Sequence, residues 1–172
     1  IRHMKIIPLS EGTFTIDKTK IFVSFELDKD ELQQRPIGSL LVEVQPFVVI
    51  TKNDVILIDT GLGFSNNGML QLHQNLINNG IQPTAVTKVL MSHLHKDHAG
   101  GISKEDAVLK QKFLSFPNAT YIVNKQELEI AVSKLSKSYA IDDVSLLAES
   151  DKLQLVESTG VIDDYIYYEW TG

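Results

Sequence analysis

Three of the chain's five histidines fall, together with an aspartate, within the six residues from His93 to His98, between the apolar run "KVLM" and the pair Gly100 and Gly101. Their spacing restricts the backbone that can carry them. On a helix, side chains two residues apart diverge by about 200° around the axis, so His93 and His95 would point away from each other. In an extended segment they share a side. With an apolar strand before it and a double glycine after it, the segment 93–98 is predicted to be a loop at the end of a buried strand.

The surrounding pattern supplies a scaffold for that loop. The first 60 residues read as β structure in "TKIFVSFEL", "GSLLVEVQPFVVIT" and "DVILIDTG", separated by segments of turn chemistry. Two or three of these strands are expected to pair as a meander, with Val55 to Ile58 a central strand buried on both faces. A helix is predicted over 68–79, with Met69, Leu72, Leu76 and Ile77 on its apolar face and Gly80 at its C-terminal cap. "KVLMS", 88–92, reads as the strand that delivers His93. Ser103 with Asp106 has the form of a capping box opening a helix to about Lys112, and Asn124 with Glu127 that of a second to about Ser136. "ATYIV" is a strand candidate, a short helix is expected near 143–149, and "GVIDDYIYYEW" reads as a last strand. There is no internal repeat.

Composition narrows the chemistry. At 172 residues, 43% of them apolar, one globular unit over 4–172 is expected. No apolar run approaches the ~20 residues of a membrane helix, so no membrane partner is expected. "IRHMKIIPLSEGTF" has no apolar stretch of leader length, which favours a cytoplasmic protein; residues 1–3 look like a cloning remnant ahead of Met4, and His3 is set aside. With no cysteine, any metal must take nitrogen and oxygen ligands. A net charge of −6 with dispersed lysines gives no basic stripe, so nucleic acid is not the expected partner, although a local basic patch remains compatible.

His93 and His95 can grip one cation, whereas Asp97 and His98, adjacent in sequence, need a local turn to reach a second. Imidazole and carboxylate suit zinc first, and also iron or manganese. "MSHLHKDHAGG" closely resembles the signature of the metallo-β-lactamase superfamily. "DVILIDTGLG" resembles the superfamily's first motif, an aspartate ending a buried strand, and "IPLSEGTF" with the "SHLHxDHAGG" form is most similar to its lactonase-like branch. The resemblance covers most of residues 4–130.

It implies an α/β fold, the four-layer αββα sandwich, with two divalent metal ions at one edge of its sheets. By position, His93 and His95 would hold the first metal, Asp97 and His98 the second, and Asp59 would orient the loop by hydrogen bonding. The implied activity is hydrolysis of an ester, lactone, thioester or amide bond in a small-molecule substrate by a metal-activated hydroxide, with Asp97 also handling a proton. Two ligands per metal fall short of the usual three. The family completes its site with a later histidine, a bridging aspartate and a last histidine, none of which follows Trp170. The sequence is therefore expected to hold the N-terminal portion of such a domain, with an exposed sheet edge.

Other residues compete for a role. His73 is expected on the surface of its helix, away from the face built by Leu72 and Leu76. Tyr165, Tyr167 and Tyr168 could line a substrate pocket, but half-buried strand tyrosines are the commoner case. A diiron oxidoreductase on the same fold is a second functional reading, disfavoured because that branch usually replaces His95 by glutamate and lacks the second histidine of the "DH" pair. A non-catalytic binding module is the third.

Overall fold

A row of apolar side chains crosses the centre of the molecule, one from each strand of a six-stranded sheet. The computed structural model describes residues 4–133 and 136–171; the remnant expected at 1–3, His3 included, and residues 134–135 of the helix expected to reach Ser136 lie outside the described residues. The first strands are β1 (Lys5–Pro8), β2 (Gly12–Ile16), β3 (Val23–Ser24), β4 (Leu40–Val44), β5 (Phe47–Ile50) and β6 (Val55–Ile58). After the short pair β7 (Ser65–Asn66) and β8 (Met69–Leu70) come α1 (Gln71–Asn78), β9 (Lys88–Leu90) and α2 (Lys96–Ala99). Then follow β10 (Ser103–Glu105), β11 (Lys112–Leu114), β12 (Thr120–Asn124), α3 (Lys125–Ser133) and α4 (Ile141–Ala148). The last strands are β13 (Leu153–Val156), β14 (Thr159–Ile162) and β15 (Ile166–Glu169).

The main sheet has the order β1-β5-β6-β9-β12-β13. Its first three strands pair antiparallel, but of the strands expected to form a meander only β5 and β6 are neighbours here; "GSLLVEVQPFVVIT" divides into β4 and β5, which belong to different sheets, and β1 pairs with β5 instead. From β6 onward the pairing is parallel, which requires a crossover between successive strands. α1 lies within the first of these crossovers, and α3 with α4 within the last. Ile7, Val48, Leu57, Val89, Tyr121 and Leu153 are successive register partners across the sheet, so their side chains share one face. Leu72 and Leu76 of α1, Leu128 of α3 and Val144 and Leu147 of α4 pack in the same core as this row. Each such side chain, fully buried, stabilises by about 1.5–3 kcal/mol.

β6 lies third in the sheet, with Ile56 and Leu57 buried, as expected of a central strand. α1 closes as anticipated: Gly80, at φ 76, donates its N–H to Ile77 at 2.9 Å, while Ile81 N–H reaches Leu76 at 3.0 Å and its side chain joins the core. A smaller sheet of order β3-β2-β4 continues from the β1–β5 edge, since Leu9 N–H bonds Pro46 and Glu11 N–H bonds Val44 between the two sheets. Together these elements form the expected α/β fold.

Three expectations are corrected. The helix predicted from Ser103 to Lys112 is a β-hairpin, β10–β11. Asp106 accepts the N–H groups of Val108 and Leu109 at 2.8 Å each and makes a turn, while Ser103 gives its hydroxyl to Asp143 instead of capping a helix. "GVIDDYIYYEW" is two strands, because Asp163 and Asp164 both take positive φ in a turn closed by Tyr165 N–H to Ile162. The strand read in "TKIFVSFEL" shrinks to Val23–Ser24, and β1 and β2, not singled out in the sequence, form because β5 and β4 pair with them.

Candidate metal centre

Parallel strands β6 and β9 end side by side, and Asp59 and Ser92 follow them. Asp59 N–H extends the ladder to Leu90 at 2.9 Å, then the residue turns to φ 60, a left-handed conformation that aspartate tolerates better than most residues. Its carboxylate accepts the Ser92 N–H at 2.7 Å, the Ser92 hydroxyl at 2.8 Å and His98 Nδ1 at 2.8 Å. Thr60 adds two bonds to the His98 carbonyl, from its N–H at 2.6 Å and its hydroxyl at 3.0 Å. Gly61 accepts Gly100 N–H at 2.8 Å, and a Cβ at Gly100 or Gly101 would run into the backbone of Leu62 or Thr60. The double glycine is therefore a packing requirement: the two loops touch backbone to backbone.

The histidine segment is not entirely a loop. His95 remains extended (φ −62, ψ 151) and caps a single turn of helix, α2, whose first bonds return from His98 and Ala99 to the His95 carbonyl at 2.9 and 2.8 Å. That turn is the device by which Asp97 and His98 come round to the side of His93. The ring centroids of His93 and His98 are 4.0 Å apart and those of His93 and His95 4.8 Å. Asp97 Oδ2 lies 3.5 Å from His98 Nε2. Leu94, fully buried, anchors the segment from below, and its N–H is held by Glu127 Oε1 at 2.8 Å.

The electrostatics separate the rings. Burial, followed by the neighbouring His98 and His95, pushes His93 below its ordinary pKa and keeps it neutral. Burial acts on His98 in the same sense, but the hydrogen bond to Asp59 and the charges of Asp59 and Asp97 outweigh it and raise that pKa. Because an ionised carboxylate only accepts, His98 donates Nδ1–H to Asp59 and keeps Nε2 for another partner.

All five site residues expected from the sequence, Asp59, His93, His95, Asp97 and His98, thus lie together. Imidazoles and a carboxylate, with one ring oriented through its second nitrogen, fit a divalent cation in donor chemistry. Among the described residues no group of three or more His, Asp or Glu side chains is arranged to hold a metal ion.

His73 is a correction. It is buried, not on the surface, with Nε2 at 3.0 Å from the Ser115 carbonyl and its ring against Phe116 at 5.2 Å. Burial, with the charge of Lys104, lowers it to about 4, so it is a neutral core histidine. Tyr165 joins the pair Asp54–Lys88 through its hydroxyl, Tyr168 is half-buried, and Tyr167 is exposed. Tyr167 and Tyr168, with Trp170, line a cleft of about 390 Å³ that reaches His93. A second cleft of about 490 Å³ opens beside His95 and Asp97, and a third of about 150 Å³ beside Asp59 and His98.

Sequence reasoning missed Ser92, Thr60 and Glu127. By its place three residues after Asn124, Glu127 has the form of half a capping box. Asn124 does cap α3, accepting the N–H groups of Gln126 and Glu127 at 2.9 and 3.2 Å, but the Glu127 carboxylate turns to Leu94. Among the described residues no helix is long and apolar enough to cross a membrane.

Comparison with known proteins gives the family and the fold. The model of the metallo-beta-lactamase superfamily matches residues 41–131, from β4 through the histidines into α3. The N-acyl homoserine lactonase AttM of Azorhizobium caulinodans is 44% identical over 52 residues, which are 30% of this chain and 16% of that protein. The crystal structure of a probable metal-dependent hydrolase from Staphylococcus aureus is similar with a TM-score of 0.66 at 22% identity, over 92% of this chain and 60% of that one. AidC, a dizinc quorum-quenching lactonase, is similar with a TM-score of 0.65 at 19% identity, over 94% of this chain and 60% of that one. At these identities the two structures establish the fold. The chain spans 60% of the length of each.

Proposed function

Because the chain belongs to the metallo-beta-lactamase superfamily, we propose that it carries the first half of the metal site of a dinuclear, metal-dependent hydrolase. His93 and His95 are the proposed ligands of one divalent cation, Asp97 and His98 of a second. Zinc is the first choice, with iron and manganese matching the same donors. When bound, such a pair of cations supplies a water nucleophile ionised at neutral pH and Lewis acidity toward a carbonyl.

The chain's own residues do the rest of the work. Asp59 holds the Nδ1–H of His98 and so presents Nε2, the nitrogen left free for a metal. This contact is the observation that carries the reading, because metal-binding histidines characteristically give their other nitrogen to a carboxylate. Ser92, held twice by Asp59, fixes the backbone just before His93. Glu127 fixes the backbone between His93 and His95. Asp97 lies at the junction of two clefts, where its carboxylate can take up and return a proton during cleavage.

The proposed substrate is a small molecule with an ester, lactone, thioester or amide bond. Lactone opening is the first reaction to test, since AttM and AidC are both described as lactonases. The dispersed lysines of this acidic chain disfavour nucleic acid as a partner, and the cytoplasm is the proposed setting.

The test is elemental mass spectrometry on dialysed protein, followed by a panel of lactone, thioester and β-lactam substrates with and without chelator. About two metal equivalents and a hydrolysis abolished by chelator are expected. A protein that takes up no metal and hydrolyses none of the panel would overturn the reading in favour of a non-catalytic binding module.

A further inference from the structure

The cleft of about 490 Å³ beside His95 gathers positive charge in a chain whose net charge is −6. Lys18, Lys20 and Lys96 line it, and Asp17 and Asp97 are its carboxylates. Among the described residues none of the three ammonium groups is paired with a carboxylate in a salt bridge. Asp17 is occupied within its own turn: its Oδ1 accepts the N–H of Thr19 at 2.8 Å and the Thr19 hydroxyl at 2.5 Å, and its carbonyl accepts Lys20 N–H at 3.0 Å. Asp97 faces the histidines, where His98 Nε2 is 3.5 Å away.

The cleft is built by contacts far apart in sequence. Lys20 takes φ 60 at the end of its turn, and its carbonyl receives the ammonium of Lys96 across 76 residues. That ammonium also sits 5.8 Å from the centre of the Phe22 ring. Phe22 and Leu40 add apolar surface to the lining of the cleft. Lys96 itself stands between His95 and Asp97 in sequence, so its charge is tied to the backbone of the proposed metal ligands.

We propose that this cleft binds the non-reacting arm of the substrate and that the arm ends in a carboxylate. Its methylene groups lie on Phe22 and Leu40, and its charge meets Lys20 and Lys96. The inference rests on the hydrolase reading and adds a substrate class to it: esters or lactones with a negatively charged tail. A carboxylate is a stronger acceptor for the Lys96 ammonium than the neutral carbonyl that now holds it. Three lysines against Asp17 and Asp97 leave one net positive charge, which balances a monoanion better than a dianion and selects a carboxylate over a phosphate dianion. The volume suits a small ligand, within the range of about 300–1,000 Å³ common for such sites.

The test separates binding from hydrolysis. ¹H–¹⁵N spectra of the metal-free protein would be titrated with N-methylsuccinamate, its uncharged counterpart N-methylbutanamide, and inorganic phosphate. The carboxylate is expected to shift the amides of Lys20, Phe22 and Lys96, to bind about five- to tenfold more tightly than the neutral amide, and to weaken with added salt. Lys20→Met and Lys96→Met are each expected to remove that preference, their spectra otherwise reporting an intact fold. Equal binding of acid and amide, shifts confined to other residues, tighter binding of phosphate, or an undiminished preference in Lys20→Met would each overturn the proposal. In parallel, kcat/KM would be compared for matched charged and neutral esters in the metal-loaded protein. If neither ester is cleaved, the hydrolase reading fails while the titration still decides the cleft; if both are cleaved without a preference for the charged one, the cleft proposal fails alone.

Discussion

Asp59 and His98, 39 residues apart in the chain, meet at 2.8 Å because β6 and β9 end side by side and one turn of helix swings His98 back over the strand end. The same carboxylate ties down the Ser92 backbone, so a single side chain sets both the entry of the histidine segment and the orientation of its last ring.

Replacing Asp59 by alanine is expected to weaken metal binding about 10- to 100-fold by freeing the His98 ring. The lost bonds to Ser92 should also cost about 1–3 kcal/mol in stability. Competition with a calibrated chelator, alongside denaturant melts, measures both effects. Unchanged metal affinity in a folded variant would remove Asp59 from the site.

His93→Ala and Asp97→Ala are each expected to reduce bound metal and hydrolysis by orders of magnitude and to leave the fold in place. Neither side chain belongs to the apolar core, so far-UV dichroism and melting should change little. Full metal content in either variant would refute the ligand assignment.

Glu11 and His73 should pull stability in opposite directions over nearly the same pH range. Burial raises Glu11 from 4.5 to about 7, against the hydrogen bond from Leu62 N–H, so the folded state favours its neutral form. Its contribution is complete below pH 4.5 and is lost as pH rises through 7. Burial lowers His73 from 6.5 to about 4, so its contribution is complete above pH 6.5 and is lost as pH falls through 4. Each swing is on the order of 3 kcal/mol. Glu11→Gln should therefore leave stability that rises with pH between about 4 and 6.5, and His73→Gln stability that falls between about 4.5 and 7. Urea melts across that range would read these slopes; a slope unchanged from the parent in either variant would count against the burial argument for that residue.

Asp54→Ala should destabilise by about 2–3 kcal/mol by leaving Lys88 partly buried with one carboxylate instead of two. The same change frees the Tyr165 hydroxyl, so the β14–β15 hairpin should lose protection in hydrogen exchange before the main sheet does. Global loss of protection without that order would argue against the hairpin being pinned there.

Elements with local signals, and the chemistry of the cluster, were legible in the order of residues alone. Apolar runs marked β6, β9 and β12, a glycine marked the end of α1, and the spacing of His93, His95, Asp97 and His98 required a strand-end segment, because strand and helix periodicity govern where neighbouring side chains point. The family resemblance went further and named Asp59. Where two local structures could use the same residues, the sequence was ambiguous. Ser103 and Asp106 have the letters of a helix cap, but a hairpin formed because Asp143 of α4 took the serine hydroxyl and Asp106 turned the chain on itself. His73 sits on a helix whose exposure depends on what packs around it, and Phe116 with the Ser115 carbonyl enclosed it. Only the tertiary structure brought the Lys20 carbonyl to Lys96, and Glu127 to Leu94. Contacts between residues distant in sequence leave no periodic signal, since they depend on how packed elements meet and not on the preferences of either segment.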